Sequence, residues 1–197
     1  MQIKVKPMGP YQTNCYIVTV NRAQLIIDPG VDATEWVMRN VSNPLAILNT
    51  HGHFDHVWSN KELKDRLGIP IYCPKDDVFM LEKDPFGQRV PPSRVDVAVE
   101  PDEKHQIGGI EAAFLHFPGH TPGCSAIEID DVWFCGDFLF SGSIGRVDFP
   151  YSDPKAMKKS LKRALSYPKN VTLYPGHGPK STLDAERRSI SYWIEIL

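Results

Sequence analysis

The run Thr50-His51-Gly52-His53-Phe54-Asp55-His56 constrains this chain more than any other stretch, because it sets three imidazoles and a carboxylate within six positions. Three further signals follow, each pairing a metal-type ligand with turn residues: Pro118-Gly119-His120-Thr121-Pro122-Gly123, Gly136-Asp137 and Pro175-Gly176-His177-Gly178. Neutral imidazole and carboxylate are good ligands for zinc and its first-row neighbours. His and Asp gathered in glycine-rich loops are what a water-activating divalent metal site needs. A fold that serves this sequence must bring four distant loops to one place.

The chain has 197 residues, enough for one domain with a real core. A formal net charge of −2, with no Lys/Arg cluster, gives no electrostatic footprint for nucleic acid. The longest apolar runs, Leu45–Leu48 and Val132–Cys135, have strand length and fall far short of the roughly 20 residues that cross a bilayer. The N-terminus, Met1 to Lys6, alternates apolar and charged residues and reads as a first strand, not a signal peptide. None of the four cysteines, Cys15, Cys73, Cys124 and Cys135, forms a C-x-x-C pair, and all sit in apolar context. They are expected to be small buried hydrophobes in a reducing compartment, which points to the cytoplasm.

Apolar patterning predicts strands at Ile3–Val5, Cys15–Val20, Leu25–Asp28, Leu45–Asn49, Ile69–Cys73, Val95–Val99, Ile110–Phe117, Ser125–Ile129, Val132–Cys135 and Val171–Tyr174. Helices are expected over Ala33–Val41, from Asp55 or His56 to Leu67 with Gly68 as its stop, over Lys75–Glu82, and from Asp153 to Leu165. Asp153 is a good N-cap with Pro154 behind it. A final helix starts at Thr182 or Asp184. Lys83–Arg94 and Phe138–Ser152 read as loops. Strands and helices thus come in two comparable batches, with the metal-type residues where strands end. Two sheets packed face to face, with helices outside each, would bring those ends to one edge.

In extended chain, His51 and His53 point the same way and can reach one ion. Asp55 and His56 lie in the turn that follows and could hold a second. Asp137 has two carboxylate oxygens and can bridge. Together with His120 and His177 these make seven ligand-type residues, which suit two metal ions with open positions for water. The remaining histidines lack that context: His105 is read as part of a polar turn, and His116 as part of an apolar strand.

The run resembles the H-x-H-x-D-H signature of the metallo-β-lactamase superfamily. Pro118–Gly123, Gly136-Asp137, Gly145-Arg146 and Tyr174–Gly178 resemble its short bacterial glyoxalase II-like (hydroxyacylglutathione hydrolase) branch. The resemblance spans the chain from Asn14-Cys15-Tyr16 to the last helix. It implies a single α+β domain, residues 1–197, built as a four-layer αββα sandwich. One metal would be held by His51, His53 and His120, the other by Asp55, His56 and His177, with Asp137 bridging. Asp28 resembles the carboxylate of the family's Asp-x-Gly turn, supporting the ligands from behind. Arg146 matches the basic residue that contacts the carboxylate region of the substrate. The longer glyoxalase II enzymes carry an additional C-terminal helical domain that supplies basic contacts to glutathione. They also have a Tyr two residues past the last histidine, where this chain has Pro179. No such domain is expected here.

The expected activity is hydrolysis of a small-molecule thioester such as S-D-lactoylglutathione, by hydroxide bridging two divalent metal ions, with Asp55 orienting it. Zinc is the expected metal, with iron or manganese as alternatives. No G-x-S-x-G nucleophile elbow is present. A persulfide dioxygenase, with one iron at His51, His120 and Asp137, shares Gly123-Cys124 and Gly145-Arg146-Val147-Asp148-Phe149. A lactonase is a further hydrolytic reading. The sequence leaves the oligomeric state open.

Overall fold

Alternation along the strands sorts the apolar side chains into three layers. In β2 (Thr13–Val20) Tyr16 and Val18 face one way and Cys15 the other; in β3 (Ala23–Ile27) Leu25 and Ile27 oppose Ile26; in β4 (Pro44–Leu48) Ala46 and Leu48 oppose Ile47. The same division runs through β10 (Val132–Gly136), where Phe134 points inward and Trp133 and Cys135 outward. Successive residues of a strand point to opposite faces, so a strand that is apolar throughout must be covered on both sides. Each fully buried Leu, Ile or Phe contributes roughly 1.5–3 kcal/mol to that arrangement.

The computed structural model describes all residues 1–197. The first sheet runs β1-β2-β3-β4-β5-β6, with β1 (Gln2–Met8), β5 (Ile71–Pro74) and β6 (Val97–Val99) completing it. Its first two pairings are antiparallel and the other three parallel. The second sheet runs β14-β13-β10-β9-β8-β7 and adds β7 (Lys104–Ile107), β8 (Ile110–His116), β9 (Ser125–Ile129), β13 (Thr172–Pro175) and β14 (Ser181–Thr182). Between the sheets lies the central layer, including Tyr16, Leu25, Leu48, Phe114, Ile127 and Phe134. Outside the first sheet pack α1 (Ala33–Asn40), α2 (Phe54–Val57), α3 (Asn60–Leu67) and α4 (Val78–Lys83). Outside the second pack α5 (Pro154–Leu165) and α6 (Leu183–Ile196). The result is the expected αββα sandwich. No helix is long and apolar enough to cross a membrane.

Several expectations need correction. The helix expected to run unbroken to Leu67 is two, α2 and α3, broken at Trp58-Ser59; there Ser59 Oγ donates to Gly30 O at 2.7 Å and its N–H to Pro29 O at 3.0 Å. Lys75–Asp77 forms a 3₁₀ turn before α4. His105 lies in β7, an edge strand whose sequence Lys-His-Gln-Ile hides it, and not in a turn. The loop Phe138–Ser152 contains a two-residue hairpin, β11 (Leu139–Phe140) and β12 (Ser143–Ile144). Asp153 caps α5 as expected, accepting from Lys155 N at 2.8 Å and Ala156 N at 3.2 Å, while Met157, Leu161 and Ala164 supply its buried face. All four cysteines are buried and unpaired.

Candidate metal centre

Every ligand-type residue follows the end of a strand. His51, His53, Asp55 and His56 follow β4, His120 follows β8, Asp137 follows β10 and His177 follows β13. The loops from the two sheets are joined directly: Thr13 bridges His177, Asn14 N donates to Gly176 O at 2.7 Å, and Gly176 N to Gly136 O at 2.7 Å. Glycines make this approach possible. A Cβ at Gly176 would lie 2.2 Å from Asp137 Oδ1 and 2.6 Å from His56 Cε1. Gly136, at φ +48°, would bring one within 2.2 Å of Thr50 Oγ1.

His51, His53 and His120 form one group of convergent donors, and Asp55, His56 and His177 another, with the donor atoms of each group within 4.8 Å of one another. Asp137 lies between the two groups. Its Oδ1 is 3.2 Å from His56 Nε2, and its Oδ2 is 3.4 Å from His120 Nε2 and 3.5 Å from His177 Nε2. Asp55 Oδ2 lies 3.4 Å from His177 Nε2 and accepts from Thr13 Oγ1 at 2.7 Å. All seven residues named in the sequence therefore meet at one place. His105 and His116 do not: His105 packs against Tyr72 and Phe114, and His116 Nε2 is 2.9 Å from Pro122 O.

Most of the rings are gripped from behind. His120 Nδ1 is 2.7 Å from Arg146 O, His177 Nδ1 is 3.1 Å from Tyr11 O, and His56 Nδ1 is 3.0 Å from Asp28 Oδ2. His51 Nδ1 is 3.1 Å from Thr50 Oγ1, whose own proton goes to Asp28 Oδ2 at 2.6 Å. Carbonyl and carboxylate oxygens can only accept, so these Nδ1 atoms are the protonated ones. In all four rings the Nε2 lone pair is left facing inward. His53 is turned the other way, with Nδ1 2.8 Å from His120 Nε2.

Asp28 is also grouped in space with His51 and His56. Both its oxygens are taken by Thr50 N, Thr50 Oγ1 and His56 Nδ1, so it supports the site from outside. Asp77 plays a similar part for the other loops and was not anticipated. Its buried carboxylate accepts from Gly52 N at 2.9 Å, Thr121 Oγ1 at 2.6 Å and Gly123 N at 2.7 Å, tying the first histidine loop to the His120 loop. In the sequence it sits in Lys75-Asp76-Asp77, which looks like a solvated charge cluster. Thr13 was also missed, having no signal of its own.

The electrostatics call for a cation. Burial pushes Asp55 and Asp137 up, but surrounding imidazoles outweigh it, holding Asp55 at about 2 and Asp137 well below the usual carboxylate range. Burial keeps His51 neutral, and burial together with His120 lowers His53 to about 3. Burial would also lower His56 and His177, yet the same carboxylates lift His56 well above its ordinary value and His177 to about 9. His51 Nε2 is buried without a hydrogen-bond partner, and His56 Nε2 faces Asp137 Oδ1, 3.2 Å away. Neutral His51 and His53, ionised carboxylates, and His56 and His177 raised by those carboxylates fit divalent metal, which would take the place of the protons held there.

An αββα sandwich with two donor groups sharing a carboxylate at one edge defines a divalent-metal-binding protein. A family model described as the metallo-beta-lactamase superfamily matches residues 8–177, and the chain belongs to that superfamily. It is 35% identical to the hydroxyacylglutathione hydrolase GloC of Haemophilus influenzae, over 96% of both chains. Among solved structures it resembles the B3 metallo-beta-lactamase BLEG-1, at TM-score 0.86 and 31% identity, covering 98% of this chain and 99% of that one. It also resembles TTHA1623, solved in a di-iron-bound form, at TM-score 0.82 and 36% identity over 94% and 98%. These relatives mark the chain as a metallo-hydrolase superfamily enzyme, and the expected glyoxalase II-like branch is supported by GloC.

Proposed function

We propose that this protein is a binuclear metal-dependent thioester hydrolase of the hydroxyacylglutathione hydrolase type. The observation that carries the reading is the common orientation of His51, His56, His120 and His177, gripped at Nδ1 from outside and presenting Nε2 inward. His51, His53 and His120 would hold one ion, Asp55, His56 and His177 the other, and Asp137 both. Zinc suits this donor set, and the di-iron form of TTHA1623 keeps iron in play. Bound divalent ions supply Lewis acidity and a water that ionises near neutral pH.

The chain's own residues do the rest. Asp55 is fixed by Thr13 Oγ1 and held ionised, so its carboxylate can accept a hydrogen bond from the attacking water and aim it. The cavity of about 510 Å³ that opens onto both groups has room for a small thioester and is bordered by Arg146. A second complete group at Asp55, His56 and His177 supports two ions over the single iron of a dioxygenase. The substrate is a free small molecule, and the cytoplasm is its natural setting. Two tests bear on this reading. Elemental analysis should find two metal ions per chain, and thiol should be released from S-D-lactoylglutathione. A single tightly held iron with oxygen consumption on a persulfide would overturn it.

A further inference from the structure

The cavity over the two donor groups has a one-sided lining. Tyr11, Phe54, Phe86, Phe140, Ile144 and Phe149 all border it. Phe86 and Phe149 stand directly over the first group, with ring centroids 5.6 and 5.8 Å from that of His53, and Phe149 is also 6.0 Å from His120. The wall continues outward: Tyr151 packs on Phe86 at 5.7 Å and on Phe79 at 5.1 Å. Tyr11, Phe149 and Tyr151 are among the few large apolar side chains left exposed; the first two line the cavity, and Tyr151 backs Phe86. Apolar surface exposed in a patch beside a polar centre marks a binding surface.

Charge is scarce in the same lining. Arg146 is its only Lys or Arg, and it is not free. Its Nε and Nη2 donate to the two oxygens of Asp148 at 2.9 and 2.7 Å, and its guanidinium carbon lies 4.3 Å over the Phe149 ring. The pair is neutral overall and one face of the guanidinium lies on Phe149, while both side chains remain 64% exposed. A thiol carrier with two carboxylates, such as glutathione, finds among the lining residues a single cation, which already has a carboxylate partner.

We propose that Phe86 and Phe149 form an apolar subsite that seats an aromatic or branched acyl group next to the thioester carbonyl, and that the site does not select an anionic thiol carrier. This inference rests on the hydrolase reading and names its substrate class. A ring replacing a methyl would lie within one ring's width of the His53–His120 pair. There, differences of even one methylene discriminate by about 10- to 200-fold, and aromatic pairs add to that.

The test uses the full chain loaded with metal and four substrates: acetyl and phenylacetyl thioesters of glutathione and of the uncharged thiol N-acetylcysteamine. The phenylacetyl esters should have kcat/KM roughly tenfold or more above the acetyl esters on either thiol, and the two thiols should agree within about threefold. Phe86→Ala and Phe149→Ala should collapse the acyl preference, and Asp148→Asn, by releasing Arg146, should raise the glutathione esters relative to the neutral ones. Calorimetric binding of the products gives a readout free of turnover: phenylacetate should bind at least about tenfold tighter than acetate, and Phe149→Ala should remove the difference. Turnover without acyl preference, or a glutathione preference above about tenfold in the wild type, overturns the proposal and leaves the hydrolase reading standing. No turnover of any thioester, with phenylacetate still bound tighter than acetate, upholds the subsite and overturns the hydrolase reading.

Discussion

Replacing Asp28 by Asn tests the site through a residue that touches no substrate. Asn has the same shape and tolerates the left-handed backbone at φ +48°. It exchanges one acceptor oxygen for an NH₂ group. If that group takes the place of Oδ1, it confronts the buried N–H of Thr50, now 2.8 Å away, and leaves a donor unsatisfied at a cost of about 1–3 kcal/mol. If it takes the place of Oδ2, it confronts His56 Nδ1–H at 3.0 Å. His56 can escape by moving its proton to Nε2, the atom that faces Asp55 and Asp137. The lone pair that would ligate is then gone. The second orientation draws on the second donor group through His56, whereas the first acts on Thr50, next to His51 of the first group. Loss of such an outer partner lowers metal affinity by about 10–100-fold, which is roughly 1.4–2.7 kcal/mol. The assay is metal content after equilibration against buffered zinc, with nitrogen-15 imidazole spectra to read the His56 tautomer. One ion should leave at free zinc levels that keep the wild type full, while circular dichroism stays unchanged. Wild-type affinity for both ions, with His56 in its original tautomer, would refute the reasoning.

Gly176→Ala places a Cβ 2.2 Å from Asp137 Oδ1, so it should displace that carboxylate and lower activity by roughly a hundredfold or more while the chain still folds; unchanged metal content and rate would show that the loop simply yields. His105→Ala should leave metal content at the wild-type level, since its ring lies against Tyr72 and Phe114, and elemental analysis decides it. Burial lifts the Asp77 carboxyl to about 6 in spite of its three donors. An acid whose folded value lies above its unfolded one contributes most below the unfolded value near 3.8. That contribution, roughly 3 kcal/mol, fades as pH rises through about 6. The stability of the metal-free wild type relative to Asp77→Asn should therefore fall between about pH 4 and pH 6, and parallel denaturation curves would count against it.

The sequence announced its ligands because metal chemistry needs particular residue types, and glycine and proline punctuate the loops that carry them. It announced the sandwich because strands apolar on both faces leave few other arrangements. What it hid was support. Asp77 and Thr13 act through hydrogen bonds to residues far away in the chain, and nothing local marks an Asp in a charged turn as buried. Arg146 shows the opposite case: a place beside the cavity and a pairing with Asp148 two residues on were both legible in the sequence, and the folded loop has both. β7 was missed because an edge strand needs few apolar residues, and the break at Ser59 because it is set by contacts with Pro29 and Gly30.

The division of ligands between the two sheets has a consequence for how the protein comes into being. Neither of the two groups assigned to metal is complete within one half of the chain: His51 and His53 wait for His120, and Asp55 and His56 for His177. His53 and His120 are 67 residues apart, so closing that contact carries the entropy of a long loop. Metal can then be captured in full only after the sandwich has closed. Once captured, it fastens the two sheets at the edge where Thr13 meets His177. Loading is thereby a checkpoint on assembly: a chain whose halves have docked out of register has no place to keep the ion, and a chain that keeps it is locked in the register that catalysis requires.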